Sequence, residues 1–179
     1  MSSLPLHPAI VHIPLGLAFV LPALALGFAW ALWTGRIRSR GWLAIVALQG
    51  VLLGAGWVAM NTGEREEDRV EKVVPKSAIS THEEYAEQFV WAVGGTFLLA
   101  ALVPVLGGRR LAHAVALASV AGTFVVAGLA IRVGHAGGQL VYTHNAGSAY
   151  ASAGNASGAT AAATAPSGRA SHADDDDDR

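Results

Sequence analysis

Ile13 to Trp33 reads IPLGLAFVLPALALGFAWALW, 21 residues without a charge. A bilayer's hydrocarbon core is crossed by about 20 helical residues, with roughly 17 to 25 allowed. Three further runs repeat the pattern: Gly41 to Met60, Phe89 to Leu106 and Ala114 to Ile131, of 20, 18 and 18 residues. No water reaches the backbone inside lipid, so each run must satisfy its own hydrogen bonds, and at this length and apolarity that means helix. The spacing predicts an all-α fold. It is a four-helix transmembrane bundle of up-down topology, with helices at about 8–33, 41–61, 82–106 and 110–134.

Composition agrees. Of 179 residues, 53% are hydrophobic and 14% charged, against about 25% charged in an ordinary soluble domain. Twelve Lys and Arg oppose thirteen Asp and Glu, which removes the electrostatic basis for a nucleic-acid partner. No Cys is present, so thiolate metal sites, iron–sulfur ligation and covalent c-type haem are excluded. The lipid bilayer is the first partner. Residues 1–146 form the membrane domain, and residues 147–179 form a low-complexity tail ending in five Asp. That tail is too poor in apolar side chains to fold alone.

The cations are unevenly placed. Arg36, Arg38 and Arg40 lie between the first two runs, and Arg109 and Arg110 between the last two, with no acid in either loop. The segment from Asn61 to Gln88 carries four cations and eight acids. By the positive-inside rule the two Arg loops are cytoplasmic. The termini and the acidic segment then lie on the periplasmic side of a bacterial inner membrane. The N-terminal run is too long, and lacks the positive flank, for a cleaved signal peptide, so it reads as an anchor. Trp30, Trp33 and Trp42 are expected at the inner interface, Trp57, Trp91 and Tyr85 at the outer one.

Polar residues near a membrane interior are costly and are the first functional candidates. In an up-down bundle His7, His12, His82, His135 and His144 all fall at the outer end. His113 lies 22 residues before His135, about 33 Å of helical rise away, and is excluded. Pro8 suits a first helical position, which sets His7 just outside the helix and His12 in its first turn. Thr81-His82-Glu83-Glu84 fits a capping box opening the third helix. Gly134, Gly137 and Gly138 are expected to end the fourth, folding Leu140 to His144 back over the bundle mouth.

Neutral imidazole ligates haem iron, zinc and copper. With no Cys, non-covalent bis-imidazole ligation is the redox chemistry these residues suit best. The expectation is a membrane electron carrier binding haem b through His12, His82, His135 and His144. His7 would support them, and Glu64 or Glu83 would accept the second ring N–H of a ligand. Gly50, Gly54, Ala55, Gly94 and Gly95 would make room for the macrocycle or, more plainly, close helix packing. Two other readings stand beside it: a non-haem metal-binding membrane protein, and a non-catalytic subunit of a larger respiratory or photosynthetic complex. No triad, Walker loop or His-Glu-x-x-His pattern is present, so an accessory role or electron carriage is expected over stand-alone catalysis.

Leu6-His7-Pro8-Ala9-Ile10-Val11-His12-Ile13-Pro14-Leu15 resembles the opening HPxxVHFP motif of a bacterial four-helix membrane family catalogued as domain of unknown function 2231. Thr62-Gly63 is similar to its Thr-Gly after the second helix. Gly137 to His144 resembles its closing GGxLVYxHG, with Asn145 in place of the last Gly and Ile13 in place of the earlier Phe. The resemblance covers residues 4–147 and implies a small inner-membrane protein, with other membrane redox proteins as partners. His7, His12 and His144 are its matched histidines.

Overall fold

The computed structural model describes residues 6–106 and 108–150. The chain forms a short helix α1 (Leu6–Ile10) and four long ones: α2 (His12–Trp33), α3 (Leu43–Val70), α4 (Lys76–Leu102) and α5 (Arg109–Tyr142). Single 3₁₀ turns, Ser39–Trp42 and Val103–Val105, precede α3 and follow α4. Among the described residues there is no strand. α2 packs on α3 and α5, and α4 packs on the same two, a ring of antiparallel neighbours. Four spans are long and apolar enough to cross a membrane, so this is a multi-pass membrane bundle with both ends of the described chain on one side.

The break between α1 and α2 has a local cause. Pro14 has no N–H to give the Ile10 carbonyl four residues back, and α1 ends at Ile10. The backbone still turns helically across the break, through Val11 N–H to His7 O at 3.1 Å and Leu15 N–H to Val11 O at 3.2 Å. His7 is therefore inside α1 rather than outside a helix as its neighbour Pro8 implied. Pro22 sits buried within α2, which continues to Trp33.

Three boundaries differ from the sequence expectation. α3 continues nine residues past 61, so much of the acidic segment is helical. α4 starts at Lys76 behind Pro75, and the Thr81 hydroxyl donates to the Ser77 carbonyl at 2.9 Å inside the helix. The expected capping box is therefore an interior turn, because proline supplies an earlier start. α5 passes through Gly134, Gly137 and Gly138 and stops at Tyr142, with Asn145 at φ 53° in the turn beyond. Glycine lowers helix propensity by about 1 kcal/mol, which packing against α4 outweighs. The helices overrun the hydrocarbon: 34 residues in α5 span about 51 Å, against about 30 Å of lipid core.

The core is layered. Near the Arg loops, Ala25, Leu32, Trp42, Ile45, Val103, Ala116 and Val120 cluster. Trp42 is fully buried there, not interfacial, because the 3₁₀ turn points it inward. Trp30, Trp33, Trp57 and Trp91 are exposed. Mid-bundle, Ala18, Leu21, Leu52, Phe89, Val93, Val126 and Ala130 form a second layer, and Gln49 Nε2 donates to Ser119 Oγ at 3.3 Å between the two. Beyond the far end Val74, Ile79 and Ala146 make a small third cluster. The tail from residue 151 on, with its five Asp, lies outside the described residues.

Candidate functional site at the histidine end of the bundle

α1 delivers His7 to the side of α3. Its Nδ1 lies 2.8 Å from the Ala59 carbonyl and 3.4 Å from Thr62 Oγ1, while the Thr62 hydroxyl donates to the same carbonyl at 2.8 Å. A carbonyl can only accept, so the proton sits on Nδ1 and Nε2 keeps its lone pair. Gly63 makes the approach possible: a Cβ there would stand 3.1 Å from His7 Cε1 and 3.3 Å from Nδ1.

α4 delivers His82 to the side of α5. The ring lies beside the Val133 backbone. Its Nδ1 is buried without a hydrogen-bond partner. Gly137, one turn beyond Val133, leaves space for this ring, since a Cβ would lie 3.2 Å from His82 Cε1. The two imidazoles meet with centroids 6.3 Å apart and planes at 87°. The His7 ring is thus anchored to a carbonyl of α3, and the His82 ring sits against α5 with a buried, unpartnered nitrogen.

The remaining candidates are placed differently. His12 opens α2 and is exposed, as is His135 on α5; His144 is half-buried in the turn after α5. The expected five-fold convergence is therefore a pair, His7 with His82. Among the described residues no group of three or more His, Asp or Glu is arranged to hold a metal ion. The backbone turns helically through Val11, and five helical residues rotate the side chain by about 140°, so His7 faces inward while His12 is exposed. Glu64 is exposed, Glu83 lies beside Glu67, and the His7 ring is held by the Ala59 carbonyl rather than by an acid. Adjacent helical residues diverge by about 100°, which turns Glu83 away from the His82 ring.

Gly50 and Gly94, expected to make room for a macrocycle, face filled space. A Cβ on Gly50 would lie 3.5 Å from Phe97, and one on Gly94 3.9 Å from Leu53. They bring α3 and α4 together. Gly54 and Gly95 look onto open space on the exposed surface.

Compared with models of known families, with curated proteins and with solved structures, the chain has no significant match. The site is thus read from its own geometry. Backbone acceptors were invisible in the sequence. The signal that was available was Gly63 beside Thr62 and Gly137 beside Gly138, glycines inside helices where nothing local requires them.

The chain past α5 closes over this end. Tyr150 donates its hydroxyl to Glu66 Oε2, and the Arg69 guanidinium lies 5.6 Å from the Tyr150 ring centre. Partial burial first, and the Glu66 carboxylate second, push the Tyr150 phenol up to about 12, so this latch stays protonated at physiological pH.

Proposed function

We propose that the chain is a membrane electron-transfer protein in which His7 and His82 together ligate one redox-active metal ion, copper or iron. One observation carries the reading: two imidazoles from different helices stand 6.3 Å apart, and the Nδ1 of one of them, His82, is buried without a hydrogen-bond partner. A buried ring nitrogen with no partner is a candidate ligand for a Lewis acid. Two imidazoles on one ion place their ring centres roughly 6 Å apart, taking about 2 Å for each metal–nitrogen bond. Anchoring the second ring N–H on a backbone carbonyl is the usual support of a ligating histidine. Imidazole suits copper and iron, and two ligands leave positions open for water or a third donor.

The expected haem b is less well accommodated. The ligand separation suits it, but Gly63 and Gly137 lie directly against the rings, and two of the glycines expected to make room, Gly50 and Gly94, are covered by Phe97 and Leu53. The geometry favours a bare ion. Membership of the 2231 family belongs to the same proposal. What supports it is that its opening motif supplies His7, its Thr-Gly supplies Thr62 and Gly63, and its closing motif supplies Gly137, all at one end of the bundle. Other membrane redox proteins are then the electron partners, in a bacterial inner membrane with this end outward.

The test is metal analysis of detergent-purified protein, as isolated and after reconstitution with copper or iron. Near-stoichiometric metal is expected, with at least about tenfold weaker binding in His7→Ala and His82→Ala and none of that loss in His12→Ala or His135→Ala. Failure to hold either metal, or equal loss in all four variants, overturns the site. Sharp reduced-minus-oxidised α and Soret bands would overturn the bare ion in favour of haem.

A further inference from the structure

At the opposite end, α2 carries a groove of about 320 Å³ lined by Ala23, Leu24, Gly27, Phe28, Ala31 and Ile37. The five α2 residues recur on one face, and the groove opens where Gly27 lacks a side chain: a Cβ there would meet nothing within 4 Å. Ile37 closes its end because the chain folds back after α2. Gly35 takes φ 73°, and the N–H groups of Arg36 and Ile37 both reach the Ala31 carbonyl, at 2.9 and 3.2 Å. The returning turn that supplies Ile37 also carries Arg36, Arg38 and Arg40, all exposed, with the Arg36 guanidinium 4.1 Å from the Trp30 ring centre.

The charge at this end is one-sided. Arg109 and Arg110 enter α5 on the same membrane face, and no Asp or Glu occurs in residues 1–63 or 88–150. An apolar slot facing lipid, with uncompensated guanidinium groups at its mouth, is complementary to a molecule with an acyl chain and an anionic headgroup. We propose that this end of the bundle binds an anionic phospholipid, one acyl chain in the α2 groove and its phosphate among Arg36, Arg38 and Arg40. The site is separate from the histidine pair and independent of it.

Native mass spectrometry of the detergent-solubilised chain, titrated with dioleoyl phosphatidylglycerol or dioleoyl phosphatidylcholine, tests it. Phosphatidylglycerol is expected to be retained preferentially. Each Arg→Gln change at 36, 38 or 40 should weaken it about fivefold. Gly27→Leu fills the groove on an exposed helix face and should abolish the preference, while Gly16→Leu, outside the groove and equally open, should leave it intact. The triple Arg→Gln variant serves as the second probe should Gly27→Leu not fold. Equal retention of both lipids, or wild-type retention by the Arg variant, overturns the proposal.

Discussion

Two glycines leave the space that the imidazole rings occupy. A methyl group on Gly137 would press on His82 at 3.2 Å, and one on Gly63 on His7 at 3.1 Å. Gly138, next in sequence, has open space around its missing Cβ. Replacing Gly137 or Gly63 by Ala is therefore expected to displace a ring by a few tenths of an ångström and weaken metal binding about tenfold, the scale of disturbed support around a metal ligand. Gly138→Ala should bind as wild type. Metal titration of the three variants checks this, and equal affinities would remove the geometric role given to the glycines. The sequence offered five histidines at this end and set His7 below the other four, as a supporting residue. What brings His7 to the fore is the Ala59 carbonyl it reaches across the bundle, which no local pattern shows.

At the scale of the helix, the contact between α4 and α5 is the tightest point. A Cβ on Gly122 would lie 2.7 Å from Thr96 Oγ1 and 3.0 Å from its Cγ2. Thr96 cannot simply turn away, because β-branching leaves a heavy atom in most rotamers, and its hydroxyl already donates to the Ala92 carbonyl at 2.7 Å. Gly122→Ala should destabilise by about 1–3 kcal/mol, the cost of overpacking. Adding Thr96→Ala should restore much of the loss, and thermal unfolding in detergent measures both. If Gly122→Ala melts with the wild type, the close approach is not limiting. Helix ends were legible only in part. Proline before Lys76 and an asparagine at positive φ after Tyr142 were written in the chain. Yet the Thr81 capping pattern suggested a later start for α4, and the glycines at 134, 137 and 138 an earlier end for α5. Those local preferences amount to about 1 kcal/mol each, and contacts between long helices exceed them.

For the whole molecule, four spans place the Arg loops on one side and the acidic turn on the other. Under the positive-inside rule, a cysteine replacing Ser77 should react with an impermeant maleimide in intact cells. One replacing Ser39 should react only after permeabilisation, and labelling of both from outside would reverse or break the topology. The number of spans, their antiparallel order and the sidedness of charge followed from sequence alone, because transfer into lipid depends on the composition of each run and little on its neighbours. Which helix faces meet was decided only in three dimensions. Inside lipid the helices gain little from hiding apolar surface, so small residues and close packing select the contacts. Those contacts bury Trp42, close α3 on α4 through Gly50 and Gly94, and join His7 to His82 from residues 75 positions apart.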